Sequence, residues 1–418
     1  MRHFSHIFKR REKEQKAAEM RPFFVRRQIA VYLALLFGAF GLLAAGWHSR
    51  GFSDAYVENV FPLWTESYGR LTGLFPFSVG EFLLVFQVLF VVLATVFGIA
   101  ALFPLVRRRF GRGLRKFYRA FAREMLFVVW IMILNCFLLY HTSPLPDRFF
   151  PESRATGDYT VEEVLLLYNR TARACNELSG QMERDGQGRI LYSERSAFGE
   201  EAPAGALLGE THMQDTARQA VSALSSEIGQ LSGYYPRPKA LLSSDFMCQQ
   251  YMLGYYFPFS MEANYNDVAY VMNLPVSMCH ELSHLKGFIY EDEANFLGYL
   301  ACIRSSDRVF AYSGYLSVLG YLWQDLVKAA DARPEELKEA VEKLGFTELD
   351  PQVAEDDVFV LPEEWERING KALVKTETVK AAADTFIDTN LKVNGVRDGK
   401  ISYSRVVRLL LEYERRKG

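Results

Sequence analysis

The residues of this chain best equipped for chemistry are His280, Glu281 and His284, within the run Met278-Cys-His-Glu-Leu-Ser-His284. Two histidines at i and i+4 share one helix face, so their imidazoles can converge on a single metal ion. A glutamate beside the first histidine projects slightly round the helix, within reach of water at that ion, and can accept its proton. The chemistry implied is metal-assisted hydrolysis, with one Zn²⁺ per chain as the expected ion and Glu281 as the expected catalytic base. The motif takes two of only seven histidines; His3, His6, His48, His141 and His212 stand alone and carry no expectation. Cys279 adjoins His280 but falls on another helix face, so it is not expected to be a ligand.

A hydrolytic zinc site needs a third protein ligand and an open position. The acidic run Glu291-Asp292-Glu293 offers three candidates. On one straight helix Glu291 would lie about 10 Å along the axis from His284, too far to share an ion. The chain must therefore turn between them, and Gly287 is the natural place. A second helix starting near Glu291 would then face the first, and the spacing by itself leaves the choice among the three acids open.

The elements expected to position these residues are mostly helical. Thr160-Val-Glu-Glu163 has the pattern of a capping box for a helix reaching about Arg184. Residues 186–203 read as a loop or hairpin, and Glu210 to Ser232 has helical periodicity. Tyr235 to Phe246 and Asp267-Val-Ala-Tyr-Val-Met272 read as strands, the second a possible edge for an extended peptide. Pro275 suits the first turn of the histidine helix, and further helices are expected near 293–330, 334–345, 362–391 and 401–416.

The mean hydropathy of −0.03 and net charge of −2 conceal a segregated chain of 418 residues. Ile29 to Trp47, Phe82 to Val106 and a stretch of about 125–144 lack charge and are long and apolar enough to cross a bilayer. Nine basic residues precede the first stretch, and eight (Arg107 to Arg123) lie in the expected loop after the second. The loop between the first two stretches holds only Arg50 and Arg70. Basic flanks stay cytoplasmic, so three crossings put everything after about residue 146 outside. From Thr142 onward there are 29 Lys and Arg against 42 Asp and Glu, a net of −13. Both basic runs adjoin apolar spans, which points to anionic lipid and not to nucleic acid as their partner.

The expected fold class is thus an α-helical membrane anchor of three transmembrane helices, followed by a mainly α, α+β domain that carries the HExxH pattern of zinc metallopeptidases. Its expected divisions are a basic cytoplasmic tail over 1–27, a transmembrane region over 28–146 with spans of about 29–47, 82–106 and 125–144, and an extracytoplasmic domain over 147–418. Cys175, Cys248, Cys279 and Cys302 lie outside the spans and could pair, but no CxxC motif occurs and free buried thiols are equally compatible.

His280-Glu281-x-x-His284 followed by Glu291-x-x-Ala294-Asn295 is similar to the HExxH and ExxAD motifs of integral-membrane zinc peptidases. That resemblance implies Glu291, in preference to Glu293, as third ligand. It puts Asn295 where those proteins carry an aspartate behind the ligands, and the two motifs lie closer together here. The chain more closely resembles a bacterial membrane family known as domain of unknown function 3810, with three N-terminal spans and the pattern HExxHxxGxxxExEANF, here His280 to Phe296. The likeness extends to Tyr255-Tyr-Phe-Pro258, Glu262-Ala-Asn264, Lys392-Val-Asn-Gly395 and Ser402-Tyr403-Ser-Arg405. It implies a zincin-like protein anchored in the cytoplasmic membrane, and it makes Tyr403 and Arg405 candidate transition-state donors. The expected function is a membrane-anchored zinc metallopeptidase acting on a peptide or protein outside that membrane. The alternative is a catalytically inactive zinc-binding or scaffold protein of zincin fold.

Overall fold

The computed structural model describes residues 27–150, 159–394 and 405–417. The chain divides into two compact units, Met1–Ser49 with Phe86–Leu138, and Arg50–Val85 with Leu139–Gly418.

Among the described residues, three helices are long and apolar enough to cross a membrane: Arg27–His48, Val79–Ala100 and the stretch Pro104–His141. The chain is a membrane-anchored protein by this criterion. Two boundaries differ from expectation. The second helix ends at Ala100, not near residue 106, because Pro104 opens the next helix after a turn. The basic run Arg107 to Arg123 is therefore not a loop but lies within the first two-thirds of helix Pro104–Asn135. Its sequence is amphipathic: Phe117 and Phe121 pack edge-on against Phe90, and the Tyr118 hydroxyl donates to the Ala94 carbonyl at 2.6 Å. Arg108, Arg112, Arg115, Arg119 and Arg123 fall on the opposite face and are exposed.

The second unit is mainly helical around one small sheet. Helix Leu274–His284 packs against Glu210–Ala223, Glu291–Ile303 and Arg308–Ala332. The sheet has three strands, β1 (Lys239–Ala240), β2 (Gly254–Phe257) and β3 (Glu262–Tyr265), in the order β1-β3-β2. β1 runs parallel to β3 with Lys239 opposite Asn264, and β2 runs antiparallel with Gly254 opposite Tyr265 and Phe257 opposite Glu262. The strand expected over Asp267–Met272 does not form. The Asn266 side chain accepts the Val268 N–H at 3.1 Å in an Asx turn, and Val271–Asn273 is a 3₁₀ turn leading into the histidine helix. Likewise only Lys239–Ala240 of the Tyr235–Phe246 stretch is extended, and Phe246 lies in helix Ser244–Gln249.

Arg50–Val85 groups with the residues after Leu139 and not with the spans that flank it. Buried polar groups make the join. The Asp54 carboxylate accepts the Ser143 N–H and hydroxyl at 2.8 and 2.7 Å. Thr65 donates to the Leu285 carbonyl at 3.0 Å. Glu262, fully buried, accepts the Gly80 N–H at 2.8 Å and pairs with Lys239. Glu81 accepts the Leu242 and Ser243 N–H groups, each at 2.9 Å. All five cysteines are free and buried, with the Cys279 and Cys302 sulfurs 3.8 Å apart.

The expected capping box is present: Thr160 and Glu163 exchange hydrogen bonds at the start of helix Val161–Gln181. Glu163 also holds the final helix, Arg405–Lys417, through a two-pronged pair with Arg415 at 2.6 and 2.7 Å. That Arg415 bond, chiefly, lowers the Glu163 pKa from 4.5 to about 2. A depressed carboxylate pKa contributes stability that is complete above pH 4.5 and lost as pH falls toward 2. Normalised amide-exchange protection over Arg405–Lys417 should therefore drop between pH 5 and pH 2.5 before that of helix Val161–Gln181. In an Arg415→Gln chain the same loss should already exist at pH 7. Protection of the final helix that tracks the rest of the unit in both chains would refute the role of this pair.

Candidate metal centre

Pro275 sits in the first turn of Leu274–His284, where a missing N–H costs nothing. His280 and His284 follow on one face, one turn apart, their rings perpendicular with centroids at 4.6 Å. Gly287 then adopts φ +88°, a conformation that favours glycine, and a Cβ there would come within 2.7 Å of the Val57 side chain. The chain reverses, and the next helix begins at Glu291. The turn at Gly287 and the second helix at Glu291 match the sequence expectation.

The reversal brings Glu291 back onto the histidines. Its carboxylate oxygens lie 3.2 Å from His280 Nε2 and 3.9 Å from His284 Nε2, and the two Nε2 atoms are 3.0 Å apart. Asn295, one turn after Glu291, receives a hydrogen bond from His280 Nδ1 at 2.9 Å, and the Phe288 carbonyl receives one from His284 Nδ1 at 2.6 Å. Both acceptors are carbonyl oxygens, so in each neutral imidazole the proton belongs on Nδ1 and the Nε2 lone pair faces the partner. With both imidazoles neutral, two nitrogen lone pairs and a carboxylate converge, a donor set that fits a cation. The site draws positive charge: burial opposes charge on His280, yet the Glu291 bond and charge raise its pKa to about 9, so a proton competes for the same place near neutral pH. Burial works against Glu291 too, but His280 keeps it ionised, near 2. Burial and then the adjacent His280 lower His284 to about 4.

A second carboxylate is near. Glu281 Oε1 is 4.0 Å from His280 Nε2, and His280, Glu281 and His284 can place ligand atoms within 4.8 Å of one another. Glu291 approaches both nitrogens more closely, which leaves Glu281 beside the cluster and not within it. Glu281 is 5% exposed, its Oε2 has no hydrogen-bond partner, and burial pushes its pKa up to about 8. This is a carboxylate disposed to take a proton near neutral pH.

Glu293 points elsewhere: its Oε1 accepts the Leu145 N–H at 2.6 Å. Arg405 is felt at Tyr290 and Asp292, where its charge lowers both pKa values against the dominant effect of burial. Tyr403 lies outside the described residues. Lys392 pairs with Asp388 on an exposed helix face. Two neighbours of the site were not expected from sequence. Gly254 of β2 lies against Glu281, and a Cβ there would stand 2.9 Å from Glu281 Cγ and 2.5 Å from the Asn264 carbonyl. A glycine inside a strand is the signal of such a close approach. Tyr321, on helix Arg308–Ala332, has its pKa raised by burial and then by the Glu291 charge.

No curated protein and no solved structure matches the chain. A family model does, over residues 56–411, a range that includes His280, Glu281, His284, Glu291 and Asn295. The chain belongs to the family described as Protein of unknown function (DUF3810).

Proposed function

We propose that this protein is a membrane-anchored zinc metallopeptidase, with His280, His284 and Glu291 as ligands and Glu281 as general base. The observation that carries the reading is the convergence of the two Nε2 lone pairs and the Glu291 carboxylate, with the unpartnered Glu281 oxygen alongside. When bound, zinc supplies Lewis acidity, bringing the pKa of water to about 7 and polarising a carbonyl. Glu281 accepts the proton of the attacking water and delivers it to the leaving amine. Asn295 and the Phe288 carbonyl hold both imidazoles in the tautomer that ligation requires. In place of Asp267–Met272, β2 is the edge on which an extended peptide lies: it is one of the two outer strands of the sheet, and its Gly254 passes against Glu281. The positive-inside rule supports a cytoplasmic N-terminus and a catalytic unit outside the cytoplasmic membrane.

The test is metal analysis of the full chain with cleavage profiling on a broad peptide library. One zinc per wild-type chain, none in His280→Ala, and chelator-sensitive cleavage by wild type are expected. Zinc without cleavage anywhere in the library would instead favour a zinc-binding scaffold. Carefully purified protein that holds no metal would sink both readings.

A further inference from the structure

An exposed apolar rim runs along the second unit from the start of helix Val79–Ala100. That helix has 22 residues and is about 33 Å long, while the hydrocarbon core of a bilayer is about 30 Å thick. There is little slack, so if the helix crosses a membrane its first turn lies at the lipid surface. The residues immediately before it are held to that level: Lys239 binds the Thr72 and Phe77 carbonyls and pairs with Glu262, which accepts the Val79 and Gly80 N–H groups. Leu74 is 78% exposed, and Phe75 and Phe77 are exposed as well. Phe77 packs edge-on against Phe82 in the helix and tilts against Phe75, so the apolar surface continues without a break.

Glu81 carries the rim further. Its carboxylate, in the first turn of the same helix, binds the backbone of Leu242 and Ser243. Leu242 therefore lies at the same level, with its side chain 77% exposed. Phe246, a turn further along, is exposed too. Gln249, which ends helix Ser244–Gln249, donates to the Val374 carbonyl at 3.0 Å and to Thr376, which brings the fully exposed Leu373 alongside. Three segments remote in sequence thus present large apolar side chains at the level where the spanning helix begins.

We propose that this rim, comprising Leu74, Phe75, Phe77, Leu242, Phe246 and Leu373, inserts into the lipid leaflet at which helix Val79–Ala100 starts. The occupant is the bilayer itself, because the rim is continuous with a helix that must enter it. Aromatic and aliphatic side chains of this kind lie favourably at the headgroup boundary. The second unit is then seated on the membrane and not merely tethered to it. This proposal does not depend on the metal reading.

The test places nitroxide labels on Leu242→Cys, Phe246→Cys and Leu373→Cys in the full chain, reconstituted in phosphatidylcholine vesicles, with Phe198→Cys as reference. The five native cysteines are buried and leave the introduced thiol as the labelling site. Molecular oxygen, which concentrates in lipid, should relax the three rim labels several-fold more strongly than a water-soluble nickel chelate does. The Phe198 label, exposed on the same unit, should show the reverse. Rim labels as open to the chelate as the reference would overturn the proposal. So would rim labels shielded from both reagents, which would mean that protein, either a second copy or a partner, covers the face.

Discussion

A Glu281→Gln chain should keep its zinc and lose about 10²- to 10⁴-fold in kcat on whichever peptide the wild type cleaves best. Glutamine has the size and shape of glutamate, so the close contact with Gly254 survives and β2 need not move. The imidazoles keep their partners at Asn295 and Phe288, and Glu291 is untouched. What disappears is the one buried carboxylate oxygen beside the cluster that has no other bond to make. An amide cannot take a proton from water, so the loss falls on the chemical step and KM should change little. Glu281→Asp refines the test. It keeps the base but withdraws it by one methylene, and a displacement of about 1 Å can cost 10²-fold. The readouts are zinc stoichiometry and steady-state kinetics on one peptide. Activity within tenfold of wild type would remove Glu281 from the mechanism. Loss of zinc together with activity would make it a ligand, an arrangement that its 4.0 Å approach to His280 leaves geometrically open.

What could be read from the sequence was what is local in it. Histidines at i and i+4, a glycine at the reversal, an acid one turn before Asn295 and uncharged runs of about 20 residues each depend on neighbours within a few turns. The structure brings Glu291 and Asn295 to His280 in that way. The misreadings are equally instructive. Asp267–Met272 has strand-like composition, but one side-chain bond from Asn266 turns the chain before a ladder can form. The basic run after the second span reads as a loop by charge, yet its aromatic residues recur at helical spacing and pack on Phe90. Most hidden was the allegiance of Arg50–Val85. It follows from pairs such as Gly80 with Glu262 and Leu242 with Glu81, more than 150 residues apart, which no periodicity announces.

That allegiance makes Lys239 and Glu262 the pair whose disruption should cost the fold most. Both side chains are almost wholly buried, at 5% and 0% exposure. Lys239 also donates to the carbonyls of Thr72 and Phe77, and Glu262 also accepts the Val79 and Gly80 N–H groups that open the second spanning helix. One salt bridge therefore ties β1, β3, the first loop and a helix N-terminus together. Breaking a buried pair by removing one partner costs about 3–5 kcal/mol, because the other charge is left uncompensated. Glu262→Leu should be the worse change. It strands the ammonium and also orphans two backbone donors at a helix start, whereas Lys239→Met leaves a carboxylate that those donors and the helix dipole still stabilise. The double variant should recover part of the loss, since no buried charge remains, but not all of it, since the donors are still unpaired. In a thermal-shift measurement on the detergent-solubilised chain the Glu262→Leu midpoint should fall by on the order of 10 °C. Lys239→Met should fall by less, and the double variant should lie above Glu262→Leu alone. A Glu262→Leu midpoint within about 2 °C of wild type would mean that this pair does not hold the first loop to the sheet.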